Sequence, residues 1–395
     1  MIDMIKKNFL IVRDEDIKKG LATDIYFLRT EEILKAKEKN PTVVAEVTIS
    51  SMKNWAVLAG LEDVANLLEG LPIDVYAMDE GSIFYVREPV LRIEGRYLDF
   101  ARYETSLLGF LCHESGIATK SARIKYAAGD RRVISFGTRR QHPALAAVVE
   151  RSAIIGGADG ISNVMGGKII GKEAAGTIPH SLIIIMGDQR EAWRAFDEVI
   201  SPDVPRICLI DTYYDEKTEA IMAAETLKDR LKLVRLDTPA SRRGNFKEII
   251  KEVRWELDIR GFKNVGIFAT GGIDEDDILE LKDLVEMFGV GSAIAGAKPL
   301  DFALDIVEVE GRPAAKRGKY GGKKQVYRDW NTLEDKIVLD LGNKDGNKDK
   351  KVDGEPLLRP IIKDGKIVKE FSLNDARSLL LRELDMIRSK TKQDF

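Results

Sequence analysis

Residues 132–164, "RVISFGTRRQHPALAAVVERSAIIGGADGISNV", decide how this chain is read. A short apolar run, "RVISFGT", gives way to a stretch with apolar residues at helical spacing, "PALAAVVERSAIIGG", and then to a second short run, "GADGISNV". Runs this brief, continuous in apolar residues and closed by glycine or polar residues, are expected of parallel strands buried on both faces. The alternation continues through "AAGTIPHS", "RICLIDTYY", "LKLVRLDTPA", "VGIFATGGID" and "VEMFGVGSAI". Between these runs lie helical segments such as "QREAWRAFDEVI", "EKTEAIMAAETLKDRL" and "GNFKEIIKEVRWELDIRGF". About seven such units in a row, with no Gly-x-Gly-x-x-Gly opening the first, predict an irregular, closed (β/α) barrel of parallel strands rather than a doubly wound sheet.

Outward from that block the pattern changes. Before it, "VVAEVTI" and "SIFYVREPVLRIEGRY" read as strands, "EEILKAKEKN" as a charged helix, and "LDFARYETSLLGFLCHESGIATKSARIKYAAG" as a long helix ending at Gly129. Residues 1–128 are therefore expected to form an α+β domain with a helical exit, and residues 129–300 the barrel. Residues 301–395 hold a basic loop, the charged loop "LGNKDGNKDKKVDGEP", a hairpin signal "LLRPIIKDGKIV" and a helix "NDARSLLLRELDMIRS". This last part is expected to pack beside the N-terminal domain and rejoin it.

Composition excludes some classes. Lys plus Arg number 62 against 65 Asp plus Glu, for a net charge of −3, so no global pull toward nucleic acid or a membrane surface is expected. The two cysteines, Cys112 and Cys208, have no second Cys or His at metal-ligand spacing, which argues against a disulfide framework or structural zinc. The opening "MIDMIKKNFLIVRDEDIKKG" mixes acids through a short apolar run and does not read as a secretory signal. No apolar stretch approaches the roughly 18 residues that span a bilayer. A cytoplasmic protein is expected.

In a barrel, chemistry sits just after each strand. Reading those positions gives Thr138, Arg139 and Arg140; Asp159; His180; Asp211 and Thr212; Arg235 and Asp237; Gly271 and Gly272; Gly289, Gly291 and Ser292. Arginines supply bidentate donors to phosphate, and glycines let backbone N–H groups approach its oxygens. Asp211 and Asp237 can orient ribose hydroxyls or hold magnesium through water. Each feature has a bland counterpart: Arg139-Arg140 can simply pair with surface acids, "TGG" and "GVGS" can be ordinary turns, and a lone histidine is more often structural than reactive. Their joint position at the strand ends of one barrel is what favours a sugar-phosphate site. His142 before Pro143 reads as an N-cap, His113 as structural, and the basic run through Lys316, Arg317, Lys319, Lys323 and Lys324 as a flexible loop able to reach an anionic site in a neighbouring subunit.

The ordered motifs "SFGTRRQHPALAAVVERSAIIGGADGISNVMGG", "AAGTIPHSLI", "VRLDTPASRRGN", "FATGGID", "FGVGSAI" and "AKRGKYGGKKQVYR" closely resemble the nicotinate phosphoribosyltransferase family in its archaeal and bacterial form. "TDIYFL" resembles that family's Thr-Asp-x-Tyr signature. The resemblance implies a type II phosphoribosyltransferase fold. It implies an enzyme joining nicotinate to 5-phosphoribosyl 1-diphosphate with release of diphosphate, with Mg²⁺ and with ATP as co-substrate. Under it, Phe136 and Tyr26 sandwich the pyridine ring, Tyr26 from the partner of a homodimer or a dimer-based oligomer. Arg139, Arg235 and Asp237 hold the ring carboxylate and the ribose, and Asp159 lines the ring. The 5-phosphate falls to Thr138, Arg140, Gly271, Gly272, Gly289, Gly291 and Ser292, and the diphosphate to Lys316, Arg317 and Lys319 across the dimer. His180 corresponds to the histidine that ATP phosphorylates. The chain lacks the cysteine knuckle of some relatives, so no zinc is expected. Quinolinate and nicotinamide phosphoribosyltransferases share most of the strand ends and are the alternatives within the fold; a non-catalytic sugar-phosphate-binding regulator is the alternative outside enzymes.

Overall fold

The computed structural model describes residues 9–340 and 352–393. The expected charged loop at 341–356 falls outside these from 341 to 351, as do the first eight residues of the opening segment. Contacts divide the chain into two units, one drawn from residues up to Thr119 and from Lys298 onward, the other spanning Lys120–Ala297. The division falls inside the helix Glu104–Ala128 rather than at its end.

In the second unit, strands Arg132–Ser135, Gly160–Ile161, Arg206–Leu209, Leu231–Leu236, Gly266–Ala269 and Met287–Val290 form one parallel sheet. Their spatial order is 160–161, 132–135, 287–290, 266–269, 231–236, 206–209. Strands 206–209, 266–269 and 287–290 are buried at every residue, which is why, apart from Arg206 with its partner Asp197, they read as apolar runs. Ile134, Ile207, Phe268 and Met287, from four different strands, pack together with Phe136 and Leu233 against them. Helices Ala146–Ile155, Gln189–Val199, Glu216–Leu227, Phe246–Ile259 and Glu275–Leu281 follow the strands in the expected alternation.

The irregular (β/α) architecture is thus present, but one run is not a strand and the barrel does not close. "AAGTIPHS" contributes a single parallel bridge, Ile161↔Ala174. Beyond it Pro179, which has no N–H to give a ladder, is the N-cap of a helix, His180–Met186. Among the described residues, strands 160–161 and 206–209 are left as the two edges of the sheet.

The first unit contains an antiparallel sheet ordered 312–313, 302–309, 42–49, 91–96, 74–77, 359–363, 366–367. Residues from the C-terminal part therefore supply both sides of the N-terminal strands. Asp364 and Gly365, with φ of 47° and 75°, make the tight turn that the Asp-Gly pair signals.

Candidate active site

The C-terminal strand ends of the parallel sheet enclose two adjoining clefts of about 320 and 380 Å³ that share Phe136, Arg139, Arg235 and Asp237. Arg235, near the end of its strand, is the hub. Its Nε donates to Thr270 Oγ1 at 3.1 Å, its Nη1 to Thr177 Oγ1 at 2.8 Å, and its Nη2 pairs with Asp237 Oδ2 at 3.0 Å. The guanidinium also lies over the rings of Phe136 and Phe268, at 5.4 and 6.0 Å from their centroids. Asp237 Oδ1 accepts from Thr270 Oγ1 at 2.6 Å. Three side chains and two rings thus fix one cation in place, with three of its five N–H donors engaged inside the protein.

The first cleft runs from this hub past Ser162 and residues 175–180 to His180. The imidazole Nε2 is 3.0 Å from Asp211 Oδ1, and Asp211 Oδ2 accepts from Asp237 N–H and the Thr238 hydroxyl at 3.2 and 3.3 Å. The hydrogen bond to Asp211 holds the His180 pKa above its ordinary value, against the partial burial that would lower it. Expected at a strand end, His180 instead opens a helix; its side chain still faces this cleft.

The second cleft is lined by Arg140, Thr270, Gly271, Gly272, Gly289, Gly291 and Ser292 together with the shared residues. Gly271 has φ of 95°, and a Cβ there would lie 2.9 Å from the carbonyls of Asp237 and Thr238. A Cβ on Gly289 would lie 2.6 Å from Thr270 Cγ2 and 2.8 Å from the Phe136 ring. Both glycines are therefore required by close approach, and they leave a wall of main chain.

Several expected site residues stand elsewhere. The Thr138 side chain is buried and its hydroxyl donates to Glu150 Oε1 at 2.6 Å, so it is not a wall of either cleft. Asp159 is corrected outright: it precedes its strand, at the opposite end from the clefts, where Oδ2 pairs with Lys125 Nζ at 2.8 Å and accepts from Val133 N–H at 2.9 Å. Tyr26 belongs to the first unit, on the helix Ile25–Ala36, with 55% of its surface exposed. In that unit too, Lys316 and Lys319 both pair with buried Asp305, at 2.6 and 2.9 Å, while Arg317 is exposed. His142 caps the turn Pro143–Leu145 by accepting from Ala144 N–H, as its sequence position implied. Sequence reading missed Ser162, Thr177, Thr270 and Glu150. Glu150 alone carried a signal, as the one acid within "ALAAVVERSAII". Among the described residues no three His, Cys, Asp or Glu side chains group as metal ligands, and no helix is long and apolar enough to cross a membrane.

Comparison with known proteins agrees with this geometry. Residues 117–305 match the family model for the quinolinate phosphoribosyl transferase C-terminal domain, and residues 24–115 that for its N-terminal domain. A nicotinate phosphoribosyltransferase of Mycobacterium tuberculosis, pncB1, is 30% identical over 330 residues, 78% of this chain and 70% of its own length. A second from that organism, pncB2, is 28% identical over 93% of this chain. Among solved structures, nicotinate-nucleotide pyrophosphorylase from Pyrococcus furiosus is 54% identical with a TM-score of 0.92, covering 97% of this chain and 99% of that one. Human nicotinic acid phosphoribosyltransferase, at 20% identity and a TM-score of 0.71 over 92% of this chain, shares the fold. The chain belongs to the family of nicotinate and quinolinate phosphoribosyltransferases and has their type II fold.

Proposed function

We propose that this phosphoribosyltransferase acts on nicotinate, forming nicotinate mononucleotide and diphosphate from nicotinate and 5-phosphoribosyl 1-diphosphate. The observation that carries this reading is the state of Arg235: three of its five N–H donors are engaged by Thr177, Thr270 and Asp237, so Arg139, exposed at the same cleft, is the cation with most to offer a ligand. One such cation suits one ring carboxylate. Asp159, which would repel nicotinate, is engaged with Lys125 away from the cleft, and this weighs against a site for the amide. The aromatic face of Phe136, tilted against Phe268 at 5.7 Å, suits a pyridine ring. The main-chain wall at Gly271, Gly272, Gly289 and Gly291, with Ser292 and Arg140, suits the 5-phosphate.

The reaction asks little of proton transfer. The pyridine nitrogen donates its lone pair to the anomeric carbon, the carbon–oxygen bond to diphosphate breaks, and its electron pair leaves with diphosphate. Catalysis then rests on alignment and on charge: Asp237 faces the developing positive charge on the ribose, and cations neutralise the leaving group. Mg²⁺ in this reading enters bound to diphosphate, whose charge it offsets. Tyr26 and the basic turn at 316–319 serve the site of a second copy of the chain in a homodimer, a role the exposure of Tyr26, Lys316 and Arg317 permits.

His180 is the phosphoryl acceptor from ATP in this reading, oriented by Asp211. His180→Ala is expected to retain basal transfer and lose ATP stimulation; stimulation that survives the substitution sinks the assignment. Because Asp211 raises the imidazole pKa and the neutral ring is the nucleophile, stimulation by ATP is expected to increase as pH rises through that raised value.

A second reading, quinolinate as substrate, is favoured by the two matched domain models and by adjacent Arg139 and Arg140, which can face two carboxylates. Diphosphate release with Mg²⁺ and nicotinate, nicotinamide or quinolinate, each with and without ATP, separates them. Turnover with nicotinate is expected. Turnover with quinolinate accompanied by carbon dioxide release overturns the first reading in favour of the second, and no release with any base favours a non-catalytic binder.

A further inference from the structure

Glu150 sits within the helix Ala146–Ile155 and is 0% exposed. A carboxylate is kept in such a place only when donors converge on it. Its Oε1 accepts from the Thr138 hydroxyl at 2.6 Å, from Asn163 N–H at 3.1 Å and from Ser162 N–H at 3.3 Å. Its Oε2 has no hydrogen-bond partner among the described residues. The donors come from the C-terminal ends of two neighbouring strands, paired as Ile134↔Gly160 and Ser135↔Ile161.

What those donors carry matters more than their number. Thr138 begins the turn Thr138–Arg140, which presents Arg139 and Arg140 to the two clefts. Ser162 is a wall of the first cleft, and Asn163 caps the helix Val164–Ile170 by accepting from Gly166 N–H at 2.8 Å. That helix seats directly on the carboxylate's own helix, where a Cβ on Gly166 would lie 3.0 Å from Ala146 O and 3.2 Å from Glu150 Cγ. One buried oxygen therefore ties the arginine turn to the neighbouring wall of the cleft.

We propose that Glu150 is a positioning residue that sets the distance between the Arg139 turn and the Ser162 wall, and so the fit of the ring carboxylate. The proposal rests on the phosphoribosyltransferase reading of the first cleft. Arg139 is exposed and has no other buried anchor in its turn beyond Thr138. Without Glu150 the turn loses the anchor of its first residue and is held only from its flanks, by Phe136 N–H on Val290 O and Gln141 Nε2 on Ala295 O, and a displacement of order 1 Å can cost about a hundredfold in a positioned reaction.

Three variants test it in the full-length chain: Glu150→Ala, Glu150→Gln, which keeps an acceptor at the Oε1 position, and Thr138→Val, which removes one donor. Glu150→Ala is expected to raise KM for the pyridine base about tenfold or more, with a smaller change in KM for 5-phosphoribosyl 1-diphosphate. Glu150→Gln is expected to restore most of the loss, and Thr138→Val to raise the same KM in the same direction. Amide hydrogen exchange at Ser162 and Asn163, which needs no substrate, is expected to accelerate in Glu150→Ala and stay slow in Glu150→Gln. An unchanged base KM in folded Glu150→Ala, or in Thr138→Val if the alanine variant does not fold, overturns the proposal. If the wild type turns over quinolinate instead, the same comparison is made with quinolinate. If no base is turned over, exchange decides: unaltered protection at Ser162 and Asn163 in both Glu150→Ala and Thr138→Val overturns it.

Discussion

Arg235→Lys lowers kcat/KM by about a hundredfold or more while leaving the fold intact; this is the largest catalytic loss expected of any single conservative change in the site. Lysine keeps the charge. It cannot donate from a plane in three directions at once to Thr177, Thr270 and Asp237, nor set a planar face over the rings of Phe136 and Phe268. Losing the fork frees the Asp237 carboxylate to turn and removes the plate against which Phe136 is set, so both clefts lose a shared wall. Steady-state kinetics with each substrate varied in turn, alongside circular dichroism, reads the effect. A variant that keeps more than a tenth of wild-type kcat/KM means that Arg235 supplies charge alone and that the three-way clamp is irrelevant to turnover.

The strand ends of the second unit were legible because parallel strands buried on both faces leave a simple trace: "ICL", "GIFA" and "MFGV" are continuous apolar runs, and the residues after the last two face the second cleft. Arg235, Asp237 and the glycines follow from that trace alone. The same logic misled at "AAGTIPHS", since an apolar run followed by a histidine looks like another strand. There the run "LIIIM" belongs to a short helix, and Ile185 within it is 81% exposed, which periodicity cannot distinguish from burial. Asp159 was misplaced because its partner, Lys125, lies 34 residues earlier, on the helix Glu104–Ala128. The basic turn read as free cations, yet Asp305 engages both Lys316 and Lys319. For Asp159 the deciding contact is long-range in sequence, and local pattern carries no record of it.

Arg328→Met is expected to cost about 3–5 kcal/mol of stability, the largest structural loss anticipated. Arg328 is 1% exposed, and it lies in the strand Lys324–Asp329 opposite Asp335 of the neighbouring strand. Its Nε and Nη2 donate to Asp335 at 2.8 and 2.6 Å, its Nη1 to Glu383 Oε1 at 2.7 Å and its Nη2 to the Ile83 carbonyl at 2.6 Å. Glu383, on the helix Leu373–Gln393, in turn accepts from Ile83 N–H at 2.6 Å. One guanidinium thus joins a hairpin, the last helix and the main chain at Ile83. A third carboxyl, Glu88, lies beside Asp335, so the site holds more acids than its central cation can neutralise. Burial first, and then the charge of Asp335, push Glu88 up to about 8; burial, opposed by Arg328, pushes Glu383 up to about 7. The fold therefore holds protons that the unfolded chain releases near 4.5, and stability is expected to fall as pH rises from there to about 8. Denaturant unfolding of the full chain across that range checks the direction, and stability that rises over it contradicts this account. Removing Arg328 takes away the cation to which both Asp335 and Glu383 bond. Adding Asp335→Asn and Glu383→Gln to Arg328→Met is then expected to recover more than half of the loss, since the penalty belongs to the stranded charges and not to the missing bonds. A triple variant as unstable as the single one would show instead that the geometry of the bonds, and not the charge they neutralise, holds these three segments together.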